Sequence, residues 1–308
     1  MGLFRYIVRR LLTSVLALVF VSGAVFVTIR LTGSPVAAML ANGNPSKHAI
    51  AALTQALGLN KPLWVQYWVF ITGALHGNLG TSYATGQPVS ALIFSRLPAT
   101  LELAVAGTVV GVVIALPVGL LSAVRPNSLV DLVGRVFALL GISFPNFWLG
   151  LMLILAFAVE IPLFPPSGFG TFNALVLPSF TVGLILAGIN ARLIRSSVLE
   201  VLGQDYVRTA RAKGLSNRVV VLKHALRNAF VPIVTYVGQQ FATLLGGIVF
   251  VEVVFAWPGI GTLALTAVES RDFPLIQGIV LVFAALLVTV NLLTDLSYVL
   301  IDPQIRLE

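Results

Sequence analysis

The sequence predicts an all-α polytopic membrane protein: six transmembrane helices, a long outer loop after the first, and a long inner loop between the fourth and fifth. Three observations carry that prediction. Hydrophobic residues make up 58% of the 308 and charged residues 10%, against about 45–50% and about 25% in soluble domains. Nineteen Lys and Arg with eleven Asp and Glu are too few to cover a water-facing surface of this size. Six stretches without Asp, Glu, Lys or Arg have close to the twenty residues that cross a hydrocarbon core. The cations fall unevenly between the two sides those stretches define. Disorder and collagen are excluded by the same composition, and the absence of cysteine removes disulfides, thiolate metal sites and Cys nucleophiles.

The charge-free runs lie between Arg10 and Arg30, Glu102 and Arg125, Arg135 and Glu160, Glu160 and Arg192, Arg227 and Glu252, and Asp272 and Asp295. They place the spans at about 9–31, 99–123, 135–159, 172–191, 229–254 and 274–298 of one transmembrane domain, 1–308. The fourth run holds 31 residues, but Pro162, Pro165, Pro166 and Gly168 break its first part, so its helix starts near Phe172; Pro178 starts or kinks it. A seventh run, Pro62 to Ser95, is interrupted by five glycines and prolines. Its apolar part, Leu63 to Leu75, suits an interfacial or re-entrant segment. The basic start with Arg5, Arg9 and Arg10 resembles a signal peptide, yet the apolar run exceeds the usual h-region and no small-x-small site follows Arg30. It reads as an uncleaved first span.

Positive residues favour cytoplasmic loops. With the N-terminus inside, 14 of the Lys and Arg lie on the cytoplasmic side and 5 outside, which puts both termini, including Arg306, in the cytoplasm. The outer excursion, 32–98, contains helix-like AIAALTQALGL and glycine-rich turns and reads as a small cap. The inner loop, 192–228, sets eight cations against Glu200 and Asp205, a net +6 of the chain's +8. Tyr206, Ala210 and Gly214 recur four apart on one helical face, and Val219, Leu222 and Leu226 share another, with Gly214 between two helices. Alone, this reads as a basic amphipathic loop lying on anionic lipid.

Ordered blocks along nearly the whole chain give it a more specific reading. They are FRYIVRRLL, GLNKPLWVQYW, GNLGTS, RLPATLELA, ISFPNFWLGLMLI, DYVRTARAKGL with HALRNAFVPIV, VFVEVVFAWPGIGTLALTAVESRDFPLIQG and NLLTDLSYVLIDPQIR. In these the chain resembles the inner-membrane permeases of ABC importers, of the peptide/nickel group, and within it the B-type subunits of dipeptide and oligopeptide permeases. Against the general Glu-Ala-Ala-x3-Gly-x9-Ile-x-Leu-Pro loop motif, aligned on Gly214, only Ala210, Gly214 and Leu226 match. The departures at Arg208, Thr209, His224 and Arg227 look like the peptide group's variant. The resemblance implies that the inner loop is a coupling helix docked on a cytoplasmic ATPase, through Tyr206, Ala210, Lys213, Gly214, Leu215 and Arg218. Small residues at 210 and 214 permit close approach to another protein, and glycine permits a positive φ at the turn. The cations either meet an acidic groove or satisfy the positive-inside rule. The implied partners are a second homologous permease, two ATP-binding subunits or domains, an extracytoplasmic peptide-binding protein docking on the outer cap, and the lipid bilayer, with no nucleic acid. ATP and Mg belong to the ATPases; no cofactor is expected in this chain.

No catalytic chemistry is legible. There is no Gly-Lys dipeptide for a P-loop, and His48, His76 and His224 are scattered without metal-ligand spacing. No catalytic, cofactor or metal site is therefore expected. Glu102, Glu252 and Asp295 sit at the ends of the charge-free runs, as snorkelling groups, helix-end pairs or gates. Asn146, Asn190 and Asn291 either line a polar path or pair helices. Glu102, Asn146, Asn190 and Glu252 are the candidates for the translocation path or gate. Trp64, Trp68, Trp148 and Trp257 fit the interfacial belt. The expected function is half of an ATP-driven import path for di- or oligopeptides, in the inner membrane of a prokaryote. The rivals are a self-sufficient secondary transporter, which calls for internal repeats and mid-membrane ionisable groups, and an intramembrane enzyme, which calls for a catalytic pair on facing spans.

Overall fold

A computed structural model describes residues 3–31, 36, 47–56 and 58–301. The expected cap between 32 and 46, Val36 apart, and the closing residues 302–308 with Arg306 lie outside the described residues. The described chain is helical: α1 (Leu3–Leu31), α2 (Lys47–Ala56), α3 (Leu63–Leu75), α4 (Val89–Val124), α5 (Leu129–Ser143), α6 (Asn146–Glu160), α7 (Phe172–Leu202), α8 (Asp205–Ala212), α9 (Asn217–Gly247), α10 (Val249–Val254), α11 (Ile260–Glu269) and α12 (Phe273–Ile301). Five of them, α1, α4, α7, α9 and α12, are long and apolar enough to cross a bilayer, and the bent pair α5–α6 is a sixth when counted as one broken span.

Several boundaries differ from those of the charge-free runs, each for a backbone reason. The third span is not one helix across 135–159: α5 and α6 meet at 103° around Phe144 and Pro145. Proline has no N–H to continue the ladder and pushes the preceding residue out of the α region; Phe144 is accordingly extended, at φ −93° and ψ 133°. Helix α4 starts ten residues before 99 and passes through Arg96, Pro98 and Pro117 unbroken. Glu102 is consequently inside a helix instead of at its end. Helix α7 starts at Phe172 as expected, carries Pro178 without breaking, and continues past 191 to Leu202. Charged residues on its last turns shorten the apolar run but not the helix, since Arg and Glu are good helix formers. Helix α3 spans Leu63–Leu75, thirteen residues, too short to cross.

The chain divides into two compact units. The first comprises the residues up to Ala99 with Pro258–Val288. Its core is built from Leu79, Val89, Ile93, Ile260, Ala267, Leu275 and Ile279. Tyr67 of α3 bonds α1 through Val19 O (3.0 Å) and Ser22 Oγ (2.9 Å). The glycine-rich turn at 80–86 folds onto the buried Asp272 carboxylate, which accepts from Ser82 Oγ, from Tyr83 N (3.1 Å) and Ala84 N (3.2 Å), and from Leu275 N at the start of α12 (3.3 Å).

The second unit, Thr100–Trp257 with the chain from Thr289, is organised around α7. Helix α4 approaches it closely enough that a Cβ on Gly119 would stand 2.6 Å from Ala191 O, and α5 does the same at Gly188, 2.9 Å from Ala138 O. Small residues at helix crossings are how membrane helices gain packing where lipid removes the hydrophobic incentive. Ala187, Ala191, Ile194 and Val198 of α7 meet Ala225, Ala229 and Ile233 of α9 in a buried cluster.

Candidate functional site

The inner loop is built by α8, a four-residue turn and the start of α9. Gly203 and the extended Gln204 separate α7 from α8. Asp205 in the first turn and Arg211 in the last suit the helix dipole. Helix α8 ends as a Schellman motif: Gly214 N donates to Arg211 O (2.9 Å) and Leu215 N to Ala210 O (3.4 Å). Gly214 carries the left-handed φ of +79° that this ending requires, and a Cβ there would meet open space. The cost of a side chain at 214 is therefore conformational, with no clash inside the chain.

The two helices pack through Val207, Ala210 and Val220, with Val201 and Leu202 against them. Ala210 thus faces the loop's own interior. Its small side chain brings α8 and α9 together, a placement unlike the outward docking face that its spacing from Tyr206 and Gly214 suggested. Residues 211–219 are all exposed, among them Lys213, Gly214, Leu215 and Arg218. Tyr206 is also exposed, and its hydroxyl accepts from Asn228 Nδ2 (2.7 Å), bracing α8 on α9. The outer surface combines Tyr206, Leu215, Val219 and Leu222 with five exposed cations, Arg208, Arg211, Lys213, Arg218 and Lys223. In the first turns of α9, up to Ala225, the buried residues are Val220, Val221 and Ala225; Val219 and Leu222 are exposed. Residues Val220–Ala225 form a π turn. Its wider winding breaks the 3.6-residue period on which the expected face rested.

Behind the loop lies an ion pair that the sequence reading passed over. Asp131 of α5, fully buried, takes Arg195 of α7 in a fork: Nε to Oδ1 at 2.6 Å and Nη2 to Oδ2 at 2.8 Å. Asn127 N adds 2.9 Å to Oδ2, and Arg135 stands 3.6 Å away. The legible signal was a single acid, Asp131, in a connection between two apolar runs, opposite a loop rich in Arg. The pair clamps the α4–α5 connection to the stretch of α7 that delivers the loop.

The four path candidates do not form one cluster. Glu252 of α10 is fully buried and accepts from Thr100 Oγ1 of α4 at 2.7 Å. Asn190 of α7 is 1% exposed, and neither its Oδ1 nor its Nδ2 has a hydrogen-bond partner. Asn146 is half-buried at the first turn of α6, just after the bend, and Glu102 is exposed on α4. Trp64, Trp68 and Trp148 are exposed apolar surface as a belt requires, whereas Trp257 is fully buried and meets Phe169 edge to face at 4.9 Å. It belongs to the packing beside Glu252. The backbone turns there, with Ala256 at φ +49° and Trp257 N on Glu252 O at 2.7 Å.

Comparison with known proteins decides the lineage. The family described as the binding-protein-dependent transport system inner membrane component matches residues 115–307, and its N-terminal counterpart matches residues 3–104. The chain belongs to this family. It is 42% identical to the glutathione transport system permease protein GsiC of Salmonella choleraesuis (strain SC-B67), over 98% of each chain, and 41% identical to GsiC of Escherichia coli (strain K12) over the same share. The fold resembles that of an amino acid ABC transporter (18% identity, TM-score 0.55, 68% of this chain and 94% of that one). It equally resembles the MetNI methionine ABC transporter in inward-facing conformations (22%, TM-score 0.55, 68% and 96%). The chain is thus a multi-pass ABC importer permease of the peptide/nickel group. Such permease subunits are not enzymes; ATP hydrolysis lies in partner ATPases. The family works with a second permease, ATPase subunits and a binding protein.

Proposed function

We propose that this permease subunit forms half of the translocation path for small peptides, and that the 206–228 loop couples it to the ATPases. The observation that carries the coupling assignment is the loop's construction. A helix fixed by a glycine-dependent ending presents an exposed apolar and basic surface, joined to α7 by the two residues Gly203 and Gln204 and to α9 by a four-residue turn. A push on Tyr206, Lys213, Leu215 or Arg218 is therefore transmitted to two spans at once, and through Arg195 and Asp131 to α5. Alternating access then needs only rigid rocking of packed helices. Glu252 with Thr100, and the unpartnered amide of Asn190, supply the polar groups that a peptide's backbone and termini would need along an otherwise apolar path.

The cargo reading is supported by the chain-long relatedness to permeases named for glutathione, itself a tripeptide, and by the peptide-type loop wording. The orientation with both termini in the cytoplasm rests on the cation asymmetry. A second homologous permease, two ATP-binding subunits and an extracytoplasmic peptide-binding protein complete the assembly, with ATP and Mg held by the ATPases. The chain has no cysteine, so introduced thiols report cleanly. In the full assembly, Leu215→Cys should crosslink to an ATPase subunit and accept a membrane-impermeant maleimide only from the cytoplasmic side, while Trp64→Cys should do neither. Labelling of Leu215→Cys from outside, or no crosslink to an ATPase, overturns the assignment.

A further inference from the structure

Within the first unit, a cavity of about 440 Å³ lies beside the last turn of α1. Its polar lining is Arg30, Lys61, Gln66, Asn78 and Gln277, and no carboxylate is among the described residues that form it. Three polar atoms there are buried without a hydrogen-bond partner: Arg30 Nε, Gln277 Nε2 and Gln66 Oε1. Gln277 is 8% exposed. Buried polar groups are nearly always paired, so three orphans around one cavity mark a ligand's place. Other polar atoms of the lining are already used in shaping the walls. Gln66 Nε2 donates to Lys61 O (2.8 Å) and Leu59 O (3.2 Å), and Asn78 Oδ1 accepts from Gly80 N (2.9 Å). Arg30 is held over the Phe26 ring at 5.0 Å.

The orphans specify the ligand's chemistry. Two cations and two unpaired donors fit an anion, and the Gln66 acceptor asks for a donor close to that anion. The setting specifies its source. Arg30 closes the apolar run of α1, and α3, which walls the cavity, is an apolar helix too short to cross, with Trp64 and Trp68 exposed. That combination places the cavity at headgroup depth, where Trp and basic side chains meet lipid. We propose that the cavity binds a phospholipid headgroup of the phosphoethanolamine type, its phosphate on Arg30, Lys61 and Gln277 and its ammonium on Gln66 Oε1. A free peptide carries the same pair of charges, so the test must separate the two.

The assembled transporter, reconstituted in nanodiscs of mixed phosphatidylethanolamine and phosphatidylglycerol and then stripped with detergent, is read by native mass spectrometry. The wild type should keep one phosphatidylethanolamine per copy of this chain. Gln277→Leu and Arg30→Met, at unchanged melting temperature, should keep at least fivefold less, and Lys61→Gln, an exposed position, should show a smaller loss. Equal retention in all variants overturns the proposal, as does indifferent retention of phosphatidylglycerol. Displacement of the lipid by free dipeptide also overturns it, in favour of a peptide site. If Gln277→Leu and Arg30→Met fail to assemble, Lys61→Gln alone decides: retention equal to wild type counts against the site.

Discussion

Asp131 and Arg195 set the largest single-residue stake. Asp131 is fully buried and Arg195 only 23% exposed, joined by two short bonds. Removing one partner of a buried pair strands the other charge, at a cost of about 3–5 kcal/mol. Arg195→Ala should therefore lower the melting temperature of the purified assembly markedly. Arg195→Lys should recover only part of the loss, because an ammonium cannot reproduce the fork. Glu252 gives a second test. Glu252→Gln keeps an acceptor for Thr100 and should retain most peptide uptake in proteoliposomes, while Glu252→Leu removes it and should reduce uptake at least tenfold; equal uptake in both contradicts a polar role. At this scale the sequence was partly legible. It singled out Glu252 and Asn190 as polar groups at or near the ends of apolar runs, but their burial and neighbours come from elsewhere in the chain, Thr100 lying 152 residues from its acceptor. Ala210 and Trp257 were misplaced because residue type alone cannot tell a small residue packed inward from one offered outward, or a core indole from a belt indole.

Helices were the most legible level, and their ends the least. Five of the six apolar runs returned as helices long and apolar enough to cross, and the third as the bent pair α5–α6, because length and hydropathy are fixed by the bilayer. What a charge count misses is backbone chemistry inside a run: the bend at Pro145, the unbroken passage of α4 through Pro98, and the π turn in α9. The packing of α4 and α5 on α7 depends on glycines at the crossings. Gly119→Leu, with its first side-chain carbon 2.6 Å from a backbone oxygen that cannot move aside, should cost at least about 1–3 kcal/mol. The checking measurement is the fraction surviving a thermal ramp in detergent. Gly246→Leu, where added atoms meet open space, should leave that fraction unchanged.

The whole molecule is an ABC importer permease whose ATP hydrolysis lies in partner ATPases. Six of its net +8 charges lie in the 192–228 loop, that loop joins two long apolar helices, α7 and α9, and its family works with ATPases and a binding protein. Family and architecture were readable from the ordered sequence blocks. Cargo was not, because the candidate polar groups Glu102, Asn146, Asn190 and Glu252 are few and dispersed along the chain. The decisive measurement places the chain with its second permease, ATPases and binding protein in proteoliposomes, and compares peptide-stimulated ATP hydrolysis and peptide uptake for wild type and Gly214→Val. A β-branched residue at φ +79° should break the Schellman ending and displace the docking surface while leaving the spans inserted. The account predicts normal assembly, ATPase activity no longer stimulated by peptide-loaded binding protein, and uptake lost by at least tenfold. ATP-driven uptake at the wild-type rate in Gly214→Val would contradict it.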